Sequence, residues 1–423
     1  MLKRIAGLLA VLLLVFAGPP PAEPARPGLT PADFVPGEVL VRFRPGKAPS
    51  ALAQLRPDVL GFEELPALKL HRLRVPPGRE REFIEWLRHR PDVEHAQPNY
   101  VYRALFTPND PYFGQQWNLP AIQAPEAWDI TQGSAAVRVA VVDTGVDCRH
   151  PDLQDQCVDQ FNYLTGSRDA GDDNGHGTHV AGIIAARTNN GVGVAGIASG
   201  VKLVALKVLD QSGQGDTATV ARAIADAAGL YGAKVINLSL GGPRDASGPD
   251  PILQEGINEA YRRGAVIVAA AGNCYPSCTA IIDPAALDHV IAVAAVDGSR
   301  QRAAFSNYGN YIDIAAPGVN ICSTYPGNRY ARRSGTSMAA PHVSAVAALV
   351  LSVRPRFCPD TIASILFQTA DDLGSPGWDQ YYGYGLVNAY RAVRAVAPST
   401  GPPPPTLPYR LFLPLVARSA PAC

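Results

Sequence analysis

The sequence predicts an α/β protein built on a doubly wound, mostly parallel sheet with helices on both faces, preceded by a small α+β domain. From residue 106 to 397, short apolar runs alternate with stretches of helical periodicity. Runs as continuous as these are typical of parallel strands that are buried on both faces. A strand–helix repeat of this kind places the sheet between two layers of helices.

The elements of this large domain can be placed along the chain. Strands are predicted at 137–142, 203–208, 234–238, 265–271 and 290–296. Helices are predicted at 178–186, 217–230, 252–263 and 337–353. In such sheets ligands bind beyond the carboxyl ends of the strands. Asp143 and Asn273 each follow the end of a predicted strand. Their position therefore indicates a functional site even without any motif.

A smaller domain is predicted at residues 37–105. Residues 38–43 and 68–75 alternate like strands, residues 80–90 have helical spacing, and residues 93–100 are extended again. Together they form an α+β unit of about 70 residues, which is large enough to fold as a separate module.

The first 25 residues predict export. Lys3 and Arg4 precede a short apolar run at 5–17, and prolines then interrupt it, as in a secretory signal peptide. The run is too short to span a membrane, and no later segment is expected to reach spanning length. We therefore expect a secreted or cell-surface protein without a transmembrane span.

The C-terminal end of the chain differs in composition from the large domain. Residues 398–408 are rich in proline and predict a stiff linker. Residues 409–423 form a short apolar tail, which cannot cross a bilayer as a helix.

Composition restricts the class of protein further. Of the 423 residues 47% are hydrophobic, which allows a sizeable core, and the formal net charge is zero. A neutral chain argues against a nucleic-acid or anionic-membrane partner.

The seven cysteines fit an oxidising compartment, and their odd number leaves at least one unpaired. Cys148 with Cys157 and Cys274 with Cys278 could close small loops. Cys322 with Cys358 would be the remaining pair and Cys423 would be free, although sequence also allows several free thiols.

Three sequence blocks carry the residue types of nucleophilic catalysis. Asp143 ends an apolar strand, His176 begins His-Gly-Thr-His-Val-Ala-Gly, and Ser337 lies in Gly-Thr-Ser-Met-Ala-Ala-Pro-His. A serine hydroxyl needs a base to take its proton, and the base needs a third group to orient it. The alternative is that Ser337 is only a helix N-cap and that Asp143 only opens a turn.

The base could be either of two histidines. His176 and His179 share one helix face, so a metal-binding pair is the alternative. The zinc motif His-Glu-x-x-His requires a glutamate and four-residue spacing, and the sequence has neither. We assign His176 as the base and His179 as a structural residue.

Asn273 is predicted to stabilise an oxyanion. An amide N–H at a strand end can donate to the tetrahedral intermediate, with the Ser337 backbone N–H as the second donor. Taken alone, the Gly-Asn pair could simply form a turn.

In their order and local sequence, these blocks resemble the subtilisin-like serine proteases, the subtilase family, and within it the thermitases. The resemblance extends from 106–113 to 385–390. It implies a subtilisin-like fold and a broadly specific endopeptidase that acts as a monomer on proteins or peptides. Residues 37–105 would be an inhibitory propeptide and 106–397 the peptidase domain. A processing protease of narrow specificity, or a binding protein on this fold, is the alternative.

The resemblance also implies two sets of binding residues. The substrate cleft would be formed by open backbone that can pair with an extended peptide, at Ser239, Leu240, Gly241, Gly213 and Gly215. A structural Ca²⁺ would be held by oxygen ligands, namely the side chains of Asp110, Asp152 and Asn190 and the carbonyls of Arg187, Val192 and Val194. Whether Asp169, Asp172 or Asp173 form a second calcium site stays open.

Overall fold

A computed structural model describes residues 34–48, 56–101, 107–277 and 280–397. The chain divides into two compact units, residues 1–103 and residues 104–423. The predicted signal peptide, linker and tail lie outside the described residues, as does the junction at 104–106.

The N-terminal unit packs one helix on an antiparallel sheet of order β2-β3-β1-β4. Phe83 and Leu87 of the helix are fully buried in a core shared with the inward residues of the strands. The Glu80 carboxylate accepts hydrogen bonds from the N–H groups of Gly37 (2.6 Å) and Gly78 (3.0 Å), so it ties the helix start to the sheet. The elements are β1 Phe34–Phe43, β2 Gly61–Leu65, β3 Leu70–Arg74, α1 Glu80–Arg88 and β4 Val93–Tyr100.

The C-terminal unit contains a seven-stranded parallel sheet of order β13-β12-β10-β8-β5-β7-β6. Its elements are α2 Asn118–Ala121, α3 Ala124–Trp128, β5 Arg138–Asp143, β6 Cys157–Asn162, α4 His176–Ala185, β7 Lys202–Lys207, α5 Thr217–Gly229, β8 Val235–Leu238, β9 Gly242–Pro243, α6 Pro251–Arg262, β10 Val266–Ala270, β11 Ile282–Asp283, β12 Val290–Val296, β13 Ile314–Pro317, β14 Ile321–Tyr325, β15 Arg329–Arg333, α7 Thr336–Val353, α8 Pro359–Thr369 and α9 Ala389–Val396.

Helices cover both faces of this sheet, as predicted. One set of alternate strand residues, such as Val142 and Ile236, packs with α5 and α6 in a single apolar core. The intervening residues face the other way, where Asn237 accepts a hydrogen bond from Ser344 of α7 (2.8 Å). Burial on both faces explains why the central strands are almost wholly apolar.

The carboxyl ends of three neighbouring strands bring the predicted site residues to one edge. Strand β5 ends at Asp143, β8 ends just before Ser239, and β10 ends three residues before Asn273. This is the edge where a sheet of this type binds its ligands.

Helix α7 is long and apolar enough to cross a membrane by length and composition, and it is the one described helix that is. The expectation that no later segment reaches spanning length is therefore wrong. Most of α7 is buried within the unit, against α4, β10 and β12. A buried core helix passes the same test of length and composition.

The cysteines follow the sequence expectation only in part. Cys148 and Cys157 form a disulfide, and Cys274 is also disulfide-bonded. Cys322 is a free thiol, buried beside Ala186 and Val194, so the pairing of Cys322 with Cys358 is wrong. Cys278 and Cys423 lie outside the described residues.

Candidate active site

The end of β5 and the start of α4 place Asp143 and His176 in contact. Nδ1 of His176 donates to Oδ1 of Asp143 at 2.7 Å, and the same oxygen accepts from the Thr144 N–H at 2.7 Å. Asp143 is fully buried, whereas the His176 side chain is 21% exposed. Because Nδ1 carries the proton in this tautomer, Nε2 is the nitrogen that can accept one.

Two opposing effects determine the pKa of His176. Burial disfavours the imidazolium, but the Asp143 carboxylate outweighs burial by charge and hydrogen bond, and the pKa is raised above its ordinary value. Asp143 therefore makes His176 a stronger base than its burial alone would allow.

Gly177 allows the strand and the helix to approach this closely. A Cβ at this position would lie 2.1 Å from the Gly145 carbonyl oxygen and 3.1 Å from the Asp143 Cβ. No larger residue fits without moving the Asp143–His176 pair, which explains the glycine after His176 in the motif.

Asp172 binds to both sides of the Asp143–His176 pair, and the sequence did not reveal this role. Its Oδ1 accepts from Thr144 Oγ1 (2.8 Å) and from the Gly175 N–H (2.8 Å). Its Oδ2 accepts from the N–H (2.9 Å) and the hydroxyl of Thr178 (2.6 Å). Asp172 lies four residues before the start of α4, whose N-cap is Gly175, so the usual N-cap pattern does not reveal it. From sequence it was considered only as a possible metal ligand.

The second calcium site is not assembled among the described residues. Both Asp172 oxygens are engaged, Asp173 pairs with Lys207 Nζ at 2.7 Å, and Asp169 accepts from the Gly171 N–H at 3.0 Å. Each of these three carboxylates thus already has a hydrogen-bond or ion-pair partner within the protein.

Ser337 lies in the first turn of α7, facing the end of β8. Its hydroxyl donates to the Ser239 carbonyl at 3.1 Å, and the Ser239 hydroxyl donates to the Ser337 carbonyl at 2.8 Å. These two bonds join the helix start to a predicted cleft segment.

The Asn273 carboxamide is held by its oxygen. Oδ1 accepts from the Thr336 N–H (2.7 Å) and the Thr336 hydroxyl (3.0 Å). Nδ2 has no hydrogen-bond partner in the part of the chain that the structure covers. A Cβ at Gly335 would lie 3.6 Å from both Asn273 Nδ2 and the Ser337 nitrogen and 3.7 Å from Asn273 Oδ1, so the two predicted donors lie close to each other beside Gly335.

A cleft of about 1210 Å³ contains most of the predicted site. His176, Ser337 and Asn273 line it, and so do all five predicted substrate-binding residues, Ser239, Leu240, Gly241, Gly213 and Gly215. Asp143 is absent from the lining because it is buried behind His176. The loop from Gly242 to Asp250 also lines the cleft and was missed; the ion pair of Arg244 with Asp283 (2.7 Å) supports it.

The second histidine of the motif lies in the interior. Nε2 of His179 donates to the carbonyls of Ile321 (3.0 Å) and Ala331 (3.1 Å), and burial lowers the pKa of this histidine to about 3. His179 therefore stays neutral and binds α4 to the β14–β15 hairpin.

The predicted calcium ligands gather around the loop after α4. Asp110 Oδ2 accepts from the Asn189 N–H at 2.7 Å, and Asp152 Oδ1 accepts from Asn190 Nδ2 at 2.9 Å. The backbone carbonyl of Asp152 accepts from the Arg187 N–H, and Asp152 Oδ2 accepts from the Val194 N–H. Asn190 Oδ1 accepts from the Val192 N–H at 2.8 Å.

Two buried carboxylates in this loop region form no ion pair among the described residues. Asp110 and Asp152 are both buried, burial raises the pKa of each, and Oδ1 of Asp110 has no hydrogen-bond partner among the described residues. Buried carboxylates without a cationic partner are unfavourable. Carboxylates of this kind suit a hard divalent cation such as Ca²⁺, which would need the Asn190 amide oxygen and the predicted carbonyls to turn toward it as further ligands.

Comparison with known proteins decides the family. Residues 134–385 match the subtilase family (Peptidase S8), and residues 20–99 match the fervidolysin N-terminal prodomain. The chain belongs to the subtilase family. It is accordingly a serine endopeptidase that carries an N-terminal prodomain.

Individual relatives support the same conclusion. The chain is 41% identical over 365 residues to a thermophilic serine proteinase of Bacillus sp. (strain AK1), covering 85% of this chain and 88% of the relative. It is 47% identical over 290 residues to thermitase of Thermoactinomyces vulgaris, covering 68% of this subtilase and all of thermitase. A solved structure of a protease from Pseudoalteromonas arctica PAMC 21717 matches 69% of this chain with a TM-score of 0.63 and 37% identity.

Proposed function

We propose that this subtilase is an exported endopeptidase in which Ser337 attacks the scissile carbonyl, with His176 as its base. The observation that carries the proposal is the 2.7 Å hydrogen bond between His176 and the buried Asp143, in a cleft that Ser337 and Asn273 also line. His176 Nε2 would take the Ser337 proton and later give it to the leaving amine, while Asp143 stabilises the imidazolium. Ser337 must first exchange its bond to the Ser239 carbonyl for one to His176.

The oxyanion would be held by Asn273 Nδ2 and the Ser337 N–H, whose nitrogens lie close to each other beside Gly335. Thr336 turns the carboxamide oxygen away, so a donor rather than an acceptor is presented to the developing charge. Water would then hydrolyse the acyl-enzyme through the same groups, with His176 again as the base.

The substrate would pair its backbone with the cleft segments at 213–215 and 239–241. Pairing of this kind recognises the main chain, so it tolerates many side chains. We expect a peptide library to be cleaved at many unrelated sequences by the mature enzyme. Cleavage confined to one motif would contradict broad specificity and favour a dedicated processing protease.

The wider organisation belongs to the same proposal. We assign residues 1–25 to the signal peptide, 37–105 to an inhibitory propeptide, 106–397 to the peptidase domain, 398–408 to a linker and 409–423 to a tail. The compact N-terminal unit and its match to a prodomain support a zymogen that is activated by removing this unit. We further propose that the mature enzyme is secreted and monomeric.

Calcium is proposed as a structural cofactor held by Asp110, Asp152, Asn190 and the Arg187–Val194 loop. Bound there, the ion would neutralise two buried carboxylates and fix the loop to the segment around Asp110. Binding to the native state alone stabilises it by about 4 kcal/mol at a thousandfold excess over Kd.

We expect chelation to lower the melting temperature of the inhibited mature enzyme and millimolar calcium to restore it. In Asp152→Ala the calcium-dependent increment should vanish, whereas in the control Asp169→Ala it should persist. Differential scanning calorimetry of the three proteins measures this. Equal melting temperatures with chelator and with calcium in the wild type would exclude the site.

A further inference from the structure

The β14–β15 hairpin borders the catalytic histidine on one side. A Cβ at Gly175, the residue before His176, would lie 2.4 Å from the Tyr325 ring, and the Tyr325 hydroxyl donates to the Asn174 carbonyl at 3.0 Å. Strand β15 ends at Arg333, four residues before Ser337. The hairpin is therefore in contact with the start of α4 and continuous with the start of α7.

Two guanidinium groups stack on the Tyr325 ring. Arg329 lies 5.1 Å and Arg333 lies 5.2 Å from the ring centroid. Arg333 also donates to the Tyr325 hydroxyl (3.1 Å), and Arg329 donates to the Pro326 carbonyl (3.0 Å). Stacking of this kind fixes the orientation of each planar guanidinium group, while its other N–H groups can still donate to a ligand.

These two cations lack an acidic partner. Neither forms an ion pair with a carboxylate of the described ranges, whereas Arg244 and Arg391 do. Asp147, which lies outside the hairpin, accepts from the Gly327 N–H at the hairpin turn (3.0 Å). A pair of exposed or half-exposed guanidinium groups without counter-charge favours an anionic ligand from outside.

The position of the pair indicates which half of the substrate it meets. The segments proposed to pair with the substrate backbone, 213–215 and 239–241, line the cleft, and Arg329 and Arg333 do not. The positive charge of Arg333 nevertheless reaches His176, because it lowers the pKa of His176 against the raising effect of Asp143. Because His176 must protonate the leaving amine, we assign the side of His176 that the hairpin flanks, outside this cleft lining, to the leaving half of the substrate.

We propose that Arg329 and Arg333, stacked on Tyr325, select substrates with an acidic side chain within the first three residues after the scissile bond. The inference rests on the proposed function, since it assumes that His176 and Ser337 cleave the peptide. A carboxylate there would form charge-assisted hydrogen bonds with one or both forks. A partly exposed pair of this kind is worth about 1 kcal/mol or less, which is up to about five-fold in kcat/KM.

The test compares quenched peptides that share one acyl half and carry Glu, Gln or Lys at each of the three leaving positions. We expect the wild type to prefer Glu over Gln by up to about five-fold at one position or more, with Lys poorest. Arg333→Gln should bring the ratio of kcat/KM for Glu over Gln close to one. Arg333→Glu should bring the same ratio below one. The control is Arg332→Gln, on the same strand, where the guanidinium donates to Gln115 Oε1 at 2.8 Å; it should keep the ratio.

Salt provides a second readout, because screening should reduce the ratio as ionic strength rises. Equal kcat/KM for Glu, Gln and Lys at every position in the wild type would overturn the inference and leave the proposed function standing. An unchanged ratio in Arg333→Glu would overturn it as well. If none of the peptides is cleaved and no active-site serine reagent reacts, the proposed function itself fails.

Discussion

Ser337→Ala is expected to lower kcat by about a millionfold, the order of loss observed for the nucleophile of a subtilisin, a member of this family. The remaining turnover would come from substrate binding and the oxyanion donors, which the substitution leaves in place. The fold should be unchanged, because within the described residues the Ser337 side chain makes a single hydrogen bond, to the Ser239 carbonyl. Hydrolysis of a fluorogenic peptide measures the loss of kcat, and the far-UV circular dichroism spectrum measures whether the fold is retained.

The same variant tests self-processing. If the enzyme removes its own propeptide, Ser337→Ala should accumulate with residues 37–105 attached, and mature wild type should begin near residues 103–107. N-terminal sequencing of both proteins decides this. Full turnover in purified Ser337→Ala would refute the nucleophile, and processing of the variant at the same rate would refute self-cleavage.

Asn273→Ala is expected to lower kcat by about 100- to 1,000-fold with little change in KM. This range is the one observed when a subtilisin, a relative of this protein, loses an oxyanion donor of the same type. The effect should fall on kcat because Nδ2 would bind charge that develops only in the transition state. Steady-state kinetics on one peptide separates the two constants.

The matched control is Asn258→Ala on α6, whose carboxamide oxygen accepts from Gln254 at 2.9 Å. This variant should keep both constants. A rise in KM at constant kcat for Asn273→Ala would contradict the oxyanion role, since it would show that the amide binds substrate and transition state equally.

The central strands were predictable because their signal is local. All five predicted strands agree with the structure to within one residue at each end, as their runs are continuous and apolar. The edge strand β6 was missed because it lacks such a local signal. Strand β6, Cys157–Asn162, alternates exposed and half-buried residues and contains three polar side chains, so its sequence does not differ from that of a loop.

The candidate site was predictable where a motif carries it. Asp143, His176, Ser337 and Asn273 each lie in a short distinctive block, and the structure brings them to one edge of the sheet. Contacts between distant segments were not predictable. The two hydrogen bonds between Ser239 and Ser337 span 98 residues and the one between Asp172 and Thr144 spans 28, and no local pattern indicates either contact.

The cysteine pairs also show that contacts between distant segments cannot be predicted from local sequence. Cys148 and Cys157 are nine residues apart and are bonded, as their spacing suggested. Pairing Cys322 with Cys358 by elimination failed because Cys322 is buried in an apolar cluster with Ala186 and Val194. Burial of a thiol is a tertiary property, which counting residues does not reveal.

Covalent labelling tests the central claim most directly. A fluorophosphonate reacts with a serine whose hydroxyl is activated by a base, and peptide mapping by mass spectrometry locates the modified residue. We predict stoichiometric modification of Ser337 in the mature enzyme, and loss of that modification in His176→Ala. Modification of another serine, or equal labelling of Ser337 after His176 is removed, would contradict the proposed catalytic site.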